Sequence, residues 1–273
     1  MEELEQNNIL REGQRSRKKM IIAGIPIGIV VLIIALIVIF NLPNANCFDE
    51  RQNGNETGVD CGGSCIPCGV KYAKDLEIIG TPTILEVTND ISEIVAKVRN
   101  PNSEYGVMFD YQIKLSDSFG QVKNTINAQS FIYPSNTKYL IIPKVLVKKS
   151  EIAKVELVFN QNSFQWFATN KTPKDLFSIY DVQTQFLEDA KNPGYLKTTG
   201  KINNKMSFDF SSVNLTILVY SKIGELLNAV ETNLDSLSSN STQQFEYIWM
   251  TYFPNLQQAN LNRVEVYADA LMK

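Results

Sequence analysis

The 273-residue sequence contains no histidine. Histidine supplies most general bases and many metal ligands, so its absence excludes Ser-His-Asp and Cys-His triads and histidine-liganded zinc. Surplus positive charge is also lacking, because 26 Lys and Arg residues stand against 29 Asp and Glu residues. Binding to nucleic acid needs clustered Lys and Arg, so we expect no nucleic-acid partner. No carboxylate pair or phosphate-cradling glycine loop is identifiable, so we predict no catalytic residues and no enzyme activity.

Charged residues are absent from residues 20–40, where only Gly24, Pro26 and Gly28 interrupt the apolar side chains. A helix rises about 1.5 Å per residue, so a run of this length reaches about 30 Å, the thickness of a hydrocarbon core. A buried core helix is the alternative, but such a helix normally carries a polar face. The sequence therefore predicts a single transmembrane helix over residues 20–42, with the lipid bilayer as its partner.

The two flanks of this apolar run differ in charge. The basic residues lie before it and the acidic residues after it: Arg15, Arg17, Lys18 and Lys19, then Asp49 and Glu50. Because positive charge stays on the cytoplasmic side, we predict a cytoplasmic head over residues 1–19 and an extracellular chain after the span. A cleaved signal peptide is the alternative, but its apolar region is only about 7 to 15 residues long. We favour an uncleaved anchor in the cell membrane.

No cysteine occurs after residue 68. The four cysteines lie close together in a predicted module over residues 43–70: Cys47, Cys61, Cys65 and Cys68. An even, clustered set in an oxidising compartment predicts two disulfides, and four cysteines allow three pairings. The alternative is a zinc site with four thiolates, for which the C-x3-C-x2-C end is nearly suitable although the gap before Cys61 is long.

The loop between the first two cysteines has side-chain oxygens spaced as in an EF-hand calcium loop. With Asp49 at position 1, the candidate ligands follow at positions 5, 7, 9 and 12, and Gly54 is at position 6: Asn53, Asn55, Thr57 and Asp60. The glycine permits the sharp turn of such a loop. However, Arg51 places a cation at position 3, and Asp60 replaces the longer bidentate Glu. The alternative is an Asn- and Gly-rich turn held by disulfides, so calcium is a candidate cofactor only.

The stretch from Cys47 to Cys68 resembles a short module of prokaryotic surface proteins with the pattern C-x-D-G-x-x-N-G-x-E-T-x-x-D-C-G-G-x-C-x-x-C. More than ten fixed positions of that pattern carry over, although Glu50 stands where the pattern often has Gly. The resemblance implies a module that lies between a membrane anchor and β-domains.

From residue 71 onward, short stretches alternate apolar and polar residues, as in residues 91–98 and 107–115. Alternation with period two and many β-branched residues predict strands, and several strands within about 100 residues predict a β-sandwich. We therefore predict an all-β fold with two tandem immunoglobulin-like sandwiches behind the membrane helix and the small Cys-rich module.

An internal repeat supports two sandwiches. A shift of 104 residues places Asn100 on Asn204 and Gly120 on Gly224 without a gap. We predict a duplication, with sandwich 1 over residues 71–170 and sandwich 2 over residues 171–273. The polar segment 170–174, which contains a proline, is the expected boundary.

Each predicted copy contains a similar turn, Asp117–Gly120 and Ser221–Gly224, with a side-chain acceptor first and glycine fourth. This arrangement is typical of a type I turn. The residues before the turns, IKLSD in the first copy and ILVYS in the second, resemble the FxLYD family of immunoglobulin-like domains, although isoleucine replaces phenylalanine in both. The resemblance implies a two-sheet sandwich with binding or structural roles.

Two aromatic clusters are predicted to lie in the cores or at sheet ends, with a sugar-stacking platform as the alternative: Phe164, Trp166 and Phe167, then Tyr247, Trp249, Tyr252 and Phe253. A sandwich pair displayed outside the membrane predicts a non-catalytic surface protein that binds a protein or glycan partner or has a structural role. The alternative is an accessory subunit of an envelope, secretion or pilus assembly.

Overall fold

The computed structural model describes four segments of the chain: residues 28–36, 46–187, 196–249 and 259–272. The chain divides into two compact units, Met1–Lys71 and Tyr72–Lys273. The first unit ends next to residue 70, where the sequence predicts the end of the Cys-rich module. The predicted cytoplasmic head lies outside the described residues.

Only part of the predicted membrane span is described. Residues 28–36 form helix α1, and the side chains of this helix are exposed. The other residues of the 20–42 segment lie outside the described part of the chain. Within the four described segments, no helix is both long and apolar enough to cross a bilayer. The transmembrane helix therefore stays a prediction. A second short helix, α2 (Cys68–Lys71), ends the first unit.

The second unit is built from β-strands, which confirms the predicted all-β class. Its described part contains β1 (Glu77–Ile78), β2 (Thr83–Thr88), β3 (Ile91–Arg99), β4 (Tyr105–Ser116), β5 (Val122–Ile132), β6 (Thr137–Val145), β7 (Lys154–Ala168), helix α3 (Pro173–Leu176), β8 (Phe177–Phe186), β9 (Leu196–Asn204), β10 (Val213–Ser221), β11 (Leu226–Leu234), β12 (Thr242–Trp249) and β13 (Ala259–Asp269). Helix α3 begins in the segment where the sequence places the boundary between the copies.

The strands pair in the same order in the two copies. In the first copy, β3 pairs with β2 and β6, while β4 pairs with β5 and β7. In the second copy, β9 pairs with β8 and β12, while β10 pairs with β11 and β13. All of these pairs are antiparallel, and β1 adds to the free end of β3. The internal repeat predicted from the sequence thus has a counterpart in the sheet topology.

Each copy encloses its own apolar core between its two sheets. In sandwich 1, the core draws on alternate residues of β3 and β4, among them Ile94, Val98 and Ile113. In sandwich 2, the core is built in the same way from β9, β10 and β12, with Ile202 and Ile217 fully buried. This alternation is the pattern expected of strands that turn one face toward a core.

A third apolar cluster lies between the two sandwiches. It is formed by outward-facing residues of both copies: Leu85, Val95, Ile141, Leu218, Tyr220 and Ala229. The sheet of β2, β3 and β6 therefore packs on the sheet of β10, β11 and β13, so β3 and β10 are covered on both faces. Leu218 has no exposed surface, and burial of such a side chain contributes about 1.5–3 kcal/mol.

Candidate functional site

The four cysteines form two disulfides, as the sequence predicts. Cys47 pairs with Cys65 and Cys61 pairs with Cys68, which selects one of the three pairings that the sequence leaves open. No thiolate remains among them, so the four-thiolate zinc site does not form. The buried Glu56 approaches the first disulfide, but a disulfide sulfur is not the thiolate ligand that a metal needs.

The side-chain oxygens of the candidate calcium ligands all have partners within the module. Both carboxylate oxygens of Asp49 accept hydrogen bonds, one from the Arg51 backbone at 3.1 Å and one from the Asn53 amide at 2.7 Å. The Asn53 oxygen accepts the Asn46 backbone N–H, and the Asn55 oxygen accepts from the Ser64 backbone and hydroxyl. The Thr57 hydroxyl lies 3.5 Å from a disulfide sulfur.

Asp60, the candidate at position 12, is the polar centre of the module. Its carboxylate accepts the backbone N–H groups of Asp49 and Glu50 at 2.9 and 3.0 Å, and the Lys71 ammonium lies 3.2 Å away. Burial raises the pKa of Asp60, but these hydrogen bonds and the Lys71 charge outweigh burial and hold the pKa below its usual value. The Lys71 ammonium is thus the cation that faces the Asp60 carboxylate in this structure, and calcium binding by these residues stays a prediction. The geometry supports the alternative of a turn held by disulfides.

The two predicted turns are present. The N–H of Gly120 donates to the Asp117 carbonyl at 3.0 Å, and the N–H of Gly224 donates to the Ser221 carbonyl at 3.0 Å. Both glycines have positive φ, 79° and 89°, which favours glycine over other residues. Each turn exposes an apolar side chain at its third position, with Phe119 94% exposed and Ile223 81% exposed.

The described members of the two aromatic clusters pack as core or core-edge residues. Phe164 and Trp166 lie against the core of sandwich 1, whereas Phe167 lies against the core of sandwich 2. Trp249 is buried, and its indole N–H donates to the Thr198 hydroxyl at 3.0 Å. Tyr247 stacks edge-on against that indole. Tyr252 and Phe253 lie outside the described residues.

Polar contacts also join the two sandwiches. The Lys138 ammonium lies 2.8 Å from a carboxylate oxygen of Asp269, and both side chains are largely buried. The Tyr133 hydroxyl donates to the Ala270 carbonyl at 2.7 Å. Because both contacts are directional and shielded from water, they set how the copies are placed against each other.

A cleft of about 450 Å³ lies beside this ion pair, between β6 of sandwich 1 and β8 and β13 of sandwich 2. Its lining includes charged and aromatic side chains from both copies and from α3: Lys138, Tyr139, Lys174, Phe177, Tyr267 and Asp269. The rings of Tyr139 and Tyr267 are 5.7 Å apart, and Tyr267 is 42% exposed. Burial and the hydrogen bond to Glu265 raise the pKa of Tyr267, so its phenol stays neutral.

This junction cleft is the candidate binding site, because ligand sites favour domain interfaces that combine apolar walls with a few polar groups. Sequence reasoning missed it, since its residues come from strands that are distant in the chain. The one available signal is the apolar run in β10, which is typical of a strand covered on both faces.

A second cleft of about 450 Å³ lies on the free face of the sheet of β4, β5 and β7. Its polar lining is rich in amides: Asp110, Gln112, Asn127, Gln129 and Asn160. The Gln112 amide donates to the Asn127 oxygen at 2.8 Å. Amides offer both donors and acceptors, the groups that pair with sugar hydroxyls.

No family model matches this chain, and no curated protein sequence matches it. Among solved structures, the chain is similar to a Bacteroides uniformis β-glucuronidase at 11% identity and a TM-score of 0.25, covering 61% of this chain and 22% of that chain. The chain is also similar to the red sea bream transglutaminase, at 7% identity and a TM-score of 0.24. This match covers 67% of this chain and 28% of that chain.

The chain is similar to the tandem CBM22 domain of Paenibacillus barcinonensis Xyn10C at 9% identity and a TM-score of 0.15. This match covers 74% of this chain and 88% of that chain. Likeness at these TM-scores carries no conclusion about the fold or function of this protein. The chain spans well under a third of the glucuronidase and the transglutaminase.

Proposed function

We propose that this protein is a membrane-anchored, non-catalytic cell-surface protein whose two immunoglobulin-like sandwiches bind a surface protein or a glycan, or serve a structural role. The uncharged run over residues 20–40 and its basic flank support the anchor and its orientation. Two disulfides support an oxidising location for the module. The resemblances to the prokaryotic surface module and to FxLYD domains also support a cell-surface protein.

The interface between the two sandwiches carries the binding proposal. The copies share an apolar cluster and the buried Lys138–Asp269 ion pair, and together they form a cleft that neither copy has alone. A binding site assembled in this way is already organised before the ligand arrives, which limits the entropy lost on binding.

Glycan and protein binding screens with the full chain in lipid nanodiscs test the proposal. Tyr267→Ala alters the junction cleft, and Gln129→Ala alters the amide-lined cleft. Tyr180→Ala is the control, because this tyrosine is 40% exposed and lines neither cleft. We expect a ligand whose affinity falls at least about tenfold in one cleft variant, equivalent to about 1.4 kcal/mol, and is unchanged in the control. Hydrolysis of peptide, ester or glycoside substrates by the purified chain contradicts the non-catalytic proposal.

One observation favours the alternative role of accessory subunit in an envelope assembly. Both copies expose an apolar side chain at the same turn position, Phe119 and Ile223. Exposed apolar groups at repeated positions suit contact with another protein. Photo-crosslinking from these two positions in cells tests this role, with Gln244 on β12 as a control position that is exposed and lines neither cleft. A defined envelope protein crosslinked from both turns supports it, and the absence of any turn-specific product contradicts it.

A further inference from the structure

Glu93 is buried in the interface between the two sandwiches. It lies two residues before Val95 on β3, so strand alternation places both side chains on the outward face that packs against sandwich 2. Leu85 lies directly opposite on β2. Only 7% of Glu93 is exposed to solvent. The carboxyl group of Glu93 therefore lies beside the apolar cluster between the two sandwiches.

The Glu93 carboxyl has little hydrogen-bonding support. The backbone N–H of Ala229 on β11 donates to it, but Oε1 has no hydrogen-bond partner in the described part of the chain. Tyr247 on β12 senses the Glu93 charge. Besides Glu93, the charged or titratable residues on the six strands of the two packed sheets are these: Glu86, Lys97, Arg99, Lys138, Tyr139, Lys144, Tyr220, Glu231, Arg263, Glu265, Tyr267 and Asp269. Of the cations among them, Lys97 lies over the Tyr139 ring at 5.1 Å and Lys138 pairs with Asp269. No cation is among the groups that shift the pKa of Glu93.

An ionised carboxylate is costly in such a place, because neither water nor a cation compensates its charge. Burial raises the pKa of Glu93 to about 8, although the Ala229 N–H acts in the opposite direction. Glu231 on β11 is a second acidic group, and burial raises its pKa as well. It therefore adds no positive charge that could balance an ionised Glu93. The pKa of Tyr247 is raised by burial and then by the charge of Glu93. Glu93 therefore keeps its proton at neutral pH while the interface is closed.

We propose that Glu93 makes the association of the two sandwiches sensitive to pH, because its carboxyl takes up a proton when the interface closes. In the open state the carboxyl meets water and has its ordinary pKa of 4.5. Below that pH both states are protonated, and the interface is tightest. As the pH rises toward about 8, closing requires proton uptake, so the opening constant increases about tenfold per pH unit. Above this window both states are ionised, and the dependence ends.

Hydrogen exchange of the full chain in nanodiscs, corrected for the intrinsic effect of pH on exchange, measures the opening of β10 and β11. Glu93→Gln removes the titrating group, and Glu86→Gln is the matched control on an exposed position of β2. We expect the opening constant to rise at least about tenfold per pH unit between about pH 5 and about pH 8 in the wild type and in Glu86→Gln. In Glu93→Gln, where Glu231 is the remaining acid with a raised pKa, we expect a clearly shallower rise. An equal slope in Glu93→Gln and the wild type overturns the proposal.

If Glu93→Gln does not fold, infrared spectroscopy of the wild type labelled with ¹³C-glutamate decides the question. We expect the carbonyl band of a neutral carboxyl at neutral pH, lost with a midpoint near pH 8, in the wild type and in Glu86→Gln. The absence of a glutamate carboxyl that titrates in this range overturns the proposal.

Discussion

The side chains of Asn100 and Asn204 are both fully buried, and they hold equivalent positions in the two sandwiches, 104 residues apart. The amide of Asn100 donates to the Tyr133 carbonyl at 3.2 Å, and the amide of Asn204 donates to the Leu237 carbonyl at 3.2 Å. Each amide oxygen accepts the backbone N–H two residues later, at 3.0 and 2.9 Å. One buried amide thus joins the chain segments at the end of each sandwich.

Replacing either buried amide is expected to destabilise the fold. Asn100→Leu or Asn204→Leu keeps the approximate volume but leaves backbone carbonyl groups without donors. We expect each variant to lower the free energy of unfolding by about 1–3 kcal/mol, measured by chemical denaturation. Asn127→Leu is the control at an exposed position of β5 and is expected to change stability by no more than about 0.5 kcal/mol. Equal stability of the Asn100 variant and the control contradicts the assigned role.

The buried ion pair between the sandwiches gives a second prediction. Lys138→Met leaves the buried Asp269 carboxylate without its cation, so we expect a loss of about 3–5 kcal/mol in stability. Lys123→Met is the control, because it breaks a more exposed pair with Asp117 and is expected to cost at most about 1 kcal/mol.

The double variant Lys138→Met/Asp269→Leu separates the charge from the packing. Without a buried charge to compensate, it is expected to recover most of the lost stability. An equal loss of stability in Lys138→Met and Lys123→Met, measured by chemical denaturation, contradicts a buried ion pair at this interface.

Chelation tests the metal content of the Cys-rich module. The candidate ligand oxygens are already hydrogen-bonded within the module, and Lys71 lies at the Asp60 carboxylate. We therefore expect the Tm of the purified chain to be the same with calcium and with a chelator, in scanning calorimetry. A Tm that falls on chelation and recovers on adding calcium, but not magnesium, restores the calcium interpretation.

Disulfide mapping tests the pairing. Mass spectrometry of the unreduced, digested chain is expected to show peptides that link Cys47 to Cys65 and Cys61 to Cys68. Thiol labelling without a reductant is expected to modify no cysteine. Fragmentation of the linked peptides that places a bond between Cys47 and Cys61 refutes this pairing, and labelled thiols refute the disulfides.

The strands of each copy could be predicted because most of them turn one face to a core and so alternate in polarity. β4 is an example, since its inward residues Val107, Ile113 and Leu115 are buried and its outward residues are more polar. The disulfides could be predicted as a class from the number and clustering of cysteines. Their pairing could not, because it depends on how the module turns in space.

The association of the two copies was beyond sequence reasoning. The sequence of β10 predicts an apolar strand, but it does not indicate that sandwich 1 covers the outer face of this strand. Lys138 and Asp269 lie 131 positions apart, so no local pattern links them. The calcium hypothesis likewise depends on more than the spacing of the residues. Spacing alone does not show that an oxygen such as that of Asn55 is already used as an acceptor.

The membrane anchor and the surface display of the two sandwiches can be tested together. The most direct measurement uses intact cells that express the chain with one epitope tag before Met1 and a different tag after Lys273, followed by added protease. We expect loss of the C-terminal tag and protection of the N-terminal tag until the cells are opened. Protection of the C-terminal tag in intact cells, with cleavage only after lysis, would contradict the account.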